Sequence, residues 1–331
     1  VELTQASLLS IIDGVDAALP AALVPAAQRA RLRSLARMLP FAPFVLLECH
    51  LATEAPRVDL SAGGRADSAT GAALLAIAGL PSDALRAAET VLLEYDVDDE
   101  PERLRAPGVF AGFNVGAPPH TDAVIALATE LRRTQWFDGA DVLRRCLAAL
   151  TPDLRITHVG VMAGRAPASV RLNVRTMRAD ALRRYAVAIG MVPERRAALD
   201  ALLSDVEPFV QRLVLALDLG PEPQPRFGVE CYPGVSGGPD HWPSFLERLL
   251  DRTLCTRAEY DALRDWAGSA PSNAMDEWPA ARQRLAAFLG PRRPAHLARS
   301  LNHVKLVAEP GVPLRAKAYL AVNQSWHETP A

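Results

Sequence analysis

The stretch Leu301–Asn323, LNHVKLVAEPGVPLRAKAYLAVN, decides the fold. Two alternating runs flank Glu309-Pro310-Gly311-Val312-Pro313, a combination that folds a chain back on itself. In a strand, successive side chains point to opposite faces. Val304, Leu306 and Ala308 therefore share one face of the first run, and His303, Lys305 and Val307 the other. In the second run Ala318, Leu320 and Val322 are apolar, and Lys317, Tyr319 and Asn323 oppose them. The hairpin has one apolar face and one face bearing lysines, a histidine and a tyrosine.

The same unit recurs upstream. Phe44–Leu51 sets Val45, Leu47, Cys49 and Leu51 against Leu46, Glu48 and His50. Its partner, Arg57–Ser61, carries Arg57, Asp59 and Ser61 on the polar side, and Gly63-Gly64 is expected to end it. Thr90–Val97 places Glu94 and Asp96 opposite Val91, Leu93, Tyr95 and Val97, and pairs with Gly108–Phe113. Ile156–Ala163 pairs with Val170–Arg175, where Arg171, Asn173 and Arg175 align. Gln211–Leu219 pairs with Arg226–Tyr232 around Gly220-Pro221-Glu222-Pro223, aligning Arg226, Gly228, Glu230 and Tyr232.

Helical sequence precedes the first hairpin over residues 2–40 and follows every hairpin except the last. These helices are expected over 72–80, 121–133, 141–150, 179–190, 194–203, 243–254, 256–266 and 279–289, with a T-x-x-E capping box at Thr256 and Glu259. The result is five hairpins with a period of about 55–75 residues. Hairpins imply antiparallel pairing, unlike the strand–helix alternation of a parallel sheet. Ten such strands form one large sheet, or close into a barrel with helices outside, which removes the exposed edges. In the barrel the apolar strand faces meet the helices. The polar faces then line a lumen too wide for side chains to fill.

A chain of 331 residues is within range of one large barrel. The expected division is a single domain, with N-terminal helices over 1–40, the repeated barrel over 41–323 and a tail over 324–331. Half the residues are hydrophobic, enough for a sizeable core, and a net charge of −2 gives no reason to expect a nucleic acid or a membrane as partner. Cys49, Cys146, Cys231 and Cys255 have no C-x-x-C spacing and read as reduced packing cysteines. There is no signal-peptide pattern and no run of about 18 apolar residues, so a cytoplasmic protein is expected. The histidines lack zinc-ligand spacing, and no Gly-rich phosphate motif occurs.

Repeated hairpin-plus-helices units resemble the ABBA prenyltransferases, which act on aromatic, indole or peptide acceptors. Members often present K-x-Y toward the lumen, and Lys317-Ala318-Tyr319 has that form. Arg171-Leu172-Asn173-Val174-Arg175 and Arg226 to Tyr232 resemble it more loosely, and HVGVMAGRAPASVRLNVR has the rhythm of a peptide prenyltransferase hairpin. VRLNVR has no tyrosine beside its bases. The resemblance runs from about Phe44 to Asn323. It implies an α+β fold, a closed ten-stranded antiparallel barrel of five hairpin-plus-helices repeats. It also implies transfer of an isoprenyl group from an allylic diphosphate to an aromatic or peptide acceptor, as in natural-product pathways. No cofactor is required on this reading, and Mg²⁺ stays open.

Sorted by unit, the lumen-facing charges divide. The first two hairpins supply Glu48, His50, Asp59, Glu94 and Asp96, with Arg57 the exception; the rest supply Arg171, Arg175, Arg226, Lys305 and Lys317, with Glu230 the exception. An acidic wall and a basic wall are expected. Arg57, Arg171, Arg175, Arg226, Lys305 and Lys317 would stabilise a departing diphosphate, and Tyr232 and Tyr319 would shield an allylic cation. Glu48 is the expected proton acceptor, with His50 or Glu94 as substitutes; its place on an early strand is an implication of the resemblance. The sharpest expectation is that the last strand closes against Phe44–Leu51, bringing Lys317 to Glu48.

Two local motifs point elsewhere. Gly234-Val235-Ser236-Gly237-Gly238 matches a nucleophile elbow, but Pro239 and Pro243 intervene before the helix that such an elbow needs. Asp98-Asp99-Glu100-Pro101-Glu102 resembles a helical Mg²⁺–diphosphate motif, and Pro101 argues against a helix there. The rival from another class is a non-catalytic barrel that binds a lipid or peptide, with a serine hydrolase using Ser236 behind it.

Overall fold

The structure is a computed structural model describing residues 7–81, 85–97, 106–114, 116, 119, 121–131, 139–162, 169–220, 223–234, 241–271, 280–290 and 295–326. Ser236 and the acidic run from Asp98 to Glu102 lie outside the described residues. Two helices open the chain, α1 (Leu9–Val15) and α2 (Ala26–Met38). The first hairpin, β1 (Phe44–His50) with β2 (Val58–Arg65), leads to α3 (Ala69–Ile77). The second, β3 (Thr90–Tyr95) with β4 (Gly108–Gly112), leads to α4 (Thr121–Leu131) and α5 (Ala140–Ala148). The third, β5 (Arg155–Met162) with β6 (Val170–Thr176), leads to α6 (Ala179–Ala188) and α7 (Pro193–Val206). The fourth, β7 (Arg212–Leu219) with β8 (Pro223–Tyr232), leads to α8 (Trp242–Asp251) and α9 (Arg257–Arg264). A short strand β9 (Gly268–Pro271) and α10 (Ala280–Leu289) precede the closing hairpin, β10 (Ala295–Glu309) with β11 (Val312–Trp326).

Each strand from β1 to β8 pairs antiparallel with the next, β8 pairs with β10, and β10 pairs with β11. β11 then pairs with β1, with Phe44 opposite Asn323, Glu48 opposite Tyr319 and His50 opposite Lys317. The ten-stranded barrel is closed, and the last strand meets the first as expected. Because all neighbours are antiparallel, the five hairpin turns gather at one rim and the helical connections leave from the other. In the last turn Pro310 fixes its own backbone and Gly311 takes a φ of +75°, which favours glycine.

Three details differ from the sequence expectation. β9, pairing Gly268–Pro271 with the start of β10, was not foreseen; GSAP has no alternation to signal it. The closing hairpin is longer than expected at both ends, with β10 starting at Ala295 rather than Leu301 and β11 running to Trp326, past Asn323. β2 does not stop at Gly63-Gly64 but pairs on through them, Gly63 with Leu92 and Gly64 with Val91. A side chain on Gly63 would meet Leu92 Cδ1 at 2.9 Å and the Val91 carbonyl at 3.2 Å, so the glycine serves close packing rather than a turn.

The alternating pattern sorts as predicted. Val45, Leu47 and Cys49 of β1 are fully buried in the layer between barrel and helices, in one core cluster with Phe245, Leu249 and Tyr185 of the helices. All four cysteines are free and buried. Leu46, Tyr319 and Ala321 form a separate apolar cluster on the inner face, with Phe44 against it. Thr256 and Glu259 make the expected capping box of α9. Glu259 also accepts the Ala52 amide at 3.1 Å, tying the first hairpin turn to that helix.

Two inner-face features shape the lumen. Phe110 lies over Gly160 of the neighbouring strand, where an added Cβ would come within 2.2 Å of Phe110 Cδ1. Gly160→Ala is therefore expected to destabilise the barrel by about 1–3 kcal/mol through overpacking. The check is a lower urea midpoint at unchanged slope. The second feature is a bulge in β10. Leu301 opposes Leu320 and His303 opposes Tyr319, leaving Asn302 as the extra residue. Without it Leu301 and His303 would face the same way. With it, Leu301 packs outward and His303 points into the lumen.

Candidate active site

The lumen holds a cavity of about 410 Å³. Its apolar walls come from Phe44, Leu46, Leu92 and Phe110, and Glu94, Arg171, Glu230, Tyr232, His303, Lys305 and Tyr319 supply its charged and aromatic surface. Of the residues expected at the site, Glu94, Arg171, Lys305, Tyr232 and Tyr319 line this cavity. The others lie around it rather than on it.

Toward the hairpin-turn rim sits a dense ionic cluster. Glu48, 1% exposed, is held by Lys317 Nζ on one oxygen and by the Tyr319 hydroxyl on the other. His50 Nε2 lies 2.9 Å from Asp59 Oδ2 and 3.6 Å from Glu48 Oε1. Asp59 Oδ1 accepts Arg57 Nε and the Val97 amide, each at 3.0 Å, and Arg57 reaches Asp96 at 3.3 Å. Burial pushes the Glu48 carboxyl up, but the Lys317 ammonium and the hydrogen bonds around it prevail and hold it well below the usual carboxylate range. Burial pulls His50 down, yet its bonds to Asp59 and Glu48 outweigh this and leave the imidazole raised. Glu48, His50 and Asp59 are, among the described residues, a group with ligand atoms close enough to hold a metal ion. Their oxygens are already engaged by Lys317, Tyr319, Arg57 and the Val97 amide, so the donor set fits an internal ion network rather than a metal.

The floor of the cavity carries the second group. Arg171 forms a two-bond fork with Asp218, at 2.7 and 3.0 Å. Burial would raise the Asp218 carboxyl, but Arg171 brings it down to about 2. Arg226, near the start of β8, adds its charge to the same carboxylate. Lys305 Nζ lies 3.5 Å from Glu230 Oε1, a long contact, and Asn173 Nδ2 donates to the same oxygen at 3.2 Å. Burial and the nearby Arg171 lower the Lys305 ammonium. The expected separation into an acidic and a basic wall does not hold. Closure puts the acidic strand β1 against the basic strand β11, and Asp218 sits beside Arg171, so the charges interleave.

At the opposite rim, Arg212 lies over the Tyr232 ring, 3.7 Å from its centroid. Burial and the like charge of Arg212 lower the neighbouring Arg175. Among the described residues neither guanidinium has a carboxylate partner. Tyr232, His303 and Tyr319 form a continuous aromatic stack, with ring centroids 4.9 and 4.0 Å apart.

Asp218, Arg212 and His158 were not singled out in the sequence, and Asn173 and His303 were placed on polar faces without a role at the site. Asp218 and Arg212 share the inward parity of β7, which LVLALDL hides behind apolar residues. Parity alone could have found them. His303 was visible on the polar face, but nothing in the sequence announces the bulge that aims it.

No protein-family model matches the sequence, and no curated protein matches it. Solved structures do match the fold. 5-Dimethylallyltryptophan synthase from Streptomyces coelicolor superposes with a TM-score of 0.57 at 12% identity, over 95% of this chain and 97% of that one. PriB, solved as a binary complex with product diphosphate, gives 0.51 at 14% identity over 98% and 100%. AnaPT from Neosartorya fischeri gives 0.51 at 12% identity over 86% and 80%. At these identities the likeness is one of architecture: the chain has the ten-stranded prenyltransferase-barrel fold of these proteins.

Proposed function

We propose that this chain transfers an isoprenyl group from an allylic diphosphate to an aromatic acceptor inside the barrel. The observation that carries the reading is the content of one cavity: cations at its floor, aromatic rings along one wall and apolar residues elsewhere. Lys305 and Arg171 would meet the diphosphate and stabilise the charge that grows on it as the C–O bond breaks. Lys317, Arg57 and Arg226 stand behind them, and Arg175 with Arg212 offers positive charge at the far rim. Tyr319 would present its ring to the allylic cation and keep water from it. Tyr232, stacked on His303 and covered by Arg212, would back that aromatic wall rather than face the cation. Glu94 lines the cavity, while Glu48 acts on it through Tyr319 and Lys317. The structural neighbours include a dimethylallyltryptophan synthase and a barrel with bound product diphosphate, which supports this donor class and an aromatic acceptor. A peptide carrying an aromatic side chain is a second acceptor of the same chemistry.

A barrel that merely binds a lipid needs the apolar walls but no converging cations, and the Arg171–Lys305 floor favours the enzyme. Because protein cations take the role of a metal at the diphosphate, we propose that none is required. Among the described residues no helix is long and apolar enough to cross a membrane. The test is incubation with dimethylallyl or geranyl diphosphate and tryptophan, tyrosine and peptide acceptors. Expected are release of diphosphate and an acceptor heavier by one prenyl unit, at a rate unchanged by EDTA. Absence of both diphosphate binding by calorimetry and any acceptor mass gain would sink the proposal.

A further inference from the structure

Prenyl transfer to an aromatic carbon must end with removal of a proton. Three carboxylates near the cavity could be asked to take it, and each is otherwise engaged. Glu48 is outside the cavity wall, with Lys317 and Tyr319 on its two oxygens. Glu230 Oε1 accepts from Asn173 and Lys305, and its Oε2 from the Tyr232 hydroxyl. Glu94 lines the cavity but makes interactions of its own.

His303 differs. It is 5% exposed and lines the cavity between the rings of Tyr232 and Tyr319. Its Nδ1 lies 2.7 Å from Asn302 Oδ1, an acceptor, so Nδ1 carries the hydrogen. Nε2 is then the free lone pair, and it is buried with no hydrogen-bond partner. Among the described residues that line the cavity, Asn173 Oδ1 is the other side-chain atom in that state. An unpartnered buried acceptor is costly, and two of them on side chains that line one cavity match a ligand that donates. The β10 bulge at Asn302 serves the same end, since it supplies the Nδ1 partner and turns His303 inward.

Resting on the prenyl-transfer reading, we infer that His303 Nε2 takes the proton from the prenylated acceptor ring. The donor's C–O bond breaks with its electron pair leaving on diphosphate, and the allylic carbon bonds to the ring carbon. The C–H bond at that carbon then breaks, its electron pair restores aromaticity, and the proton moves to Nε2. Glu230 Oε2, 3.9 Å from Nε2, stabilises the imidazolium that forms. Burial, together with Lys305 and Arg212 and against the pull of Glu230 and Glu48, lowers the His303 imidazole to about 4, so it waits neutral. So weak a base suffices because a protonated arene ring is a strong acid.

The test compares wild type with His303→Phe, which keeps the ring stack and removes the nitrogen. Turnover is expected to fall about 100-fold, the size of a general-base contribution. Acceptor-independent hydrolysis of the donor is expected to persist. A primary isotope effect from deuterium at the substituted ring position is expected to appear in the variant and not in wild type. His303→Gln, should the Phe variant fold poorly, is expected to lose turnover with little change in acceptor KM. Equal turnover in wild type and variant, with no isotope effect, overturns this inference and leaves prenyl transfer standing. No transfer by wild type overturns both.

Discussion

Replacing Glu48 with alanine is expected to lower the stability of the protein by about 3–5 kcal/mol, the largest effect of any single change at the site. The carboxylate is the shared partner of Lys317 and Tyr319, all three buried between β1 and β11. Its removal leaves a buried ammonium, 8% exposed, without its carboxylate. A Glu48→Met/Lys317→Met double variant removes both charges and should cost far less, because replacing a whole buried pair by apolar groups is often close to neutral. Urea midpoints at constant slope separate the two cases. If the single variant costs no more than the double, the pair is not coupled as described. The pH dependence follows from the same cluster. Glu48 is depressed in the folded state, so its contribution is present above the ordinary carboxylate pKa and is lost as pH falls through the depressed value. His50 is raised, so its contribution is full below the ordinary imidazole pKa and fades as pH rises through the raised value. In Glu48→Ala the acid limb should flatten.

Lys305→Met is expected to lower kcat/KM for the allylic diphosphate by about 100- to 1000-fold, the cost of removing one preorganised charge from a developing anion. Lys305 is chosen over Arg171 because of how each is held. Arg171 is committed to Asp218 through two short bonds, whereas Lys305 has one contact to Glu230 at 3.5 Å, the outer limit of a hydrogen bond. More of its charge is therefore free for a ligand. Its stem lies over Gly228, whose added Cβ would come within 2.5 Å of Lys305 Cε, so the glycine leaves room for it. Methionine keeps the stem and drops the ammonium, which isolates the electrostatic part. Unchanged steady-state constants for the donor would remove Lys305 from the diphosphate site.

Much of this was legible in the sequence, for reasons that are physical. Alternation fixes which side chains share a face, so Glu48, His50, Lys317 and Tyr319 could be placed on the inner surface before any coordinates. Antiparallel closure then made β1 and β11 neighbours. The partners of the buried cations were less visible. Asp218 is one polar residue at the end of an apolar strand, and its contact with Arg171 depends on the register between β6 and β7, which no local pattern sets. The Arg175–Arg212 pair depends on the same register. The role of His303 rests on one extra residue in a strand, and a bulge leaves hardly any mark in a sequence. Gly63-Gly64 was misread for the opposite reason: glycines common in turns here make room between strands.

The contact that seals the barrel joins Glu48 to Lys317, separated by 269 positions along the chain. A growing polypeptide exposes β1 early and must wait for β11 before that edge is covered. Until then β1 presents unpaired backbone, and Glu48 lacks the two groups that hold it. Pairings so distant are slow to form, and open edges of this kind invite association with other chains. The reaction chamber is thus completed at the last step of folding, and the yield of active protein should depend on temperature and chaperones more steeply than the stability of the finished barrel does.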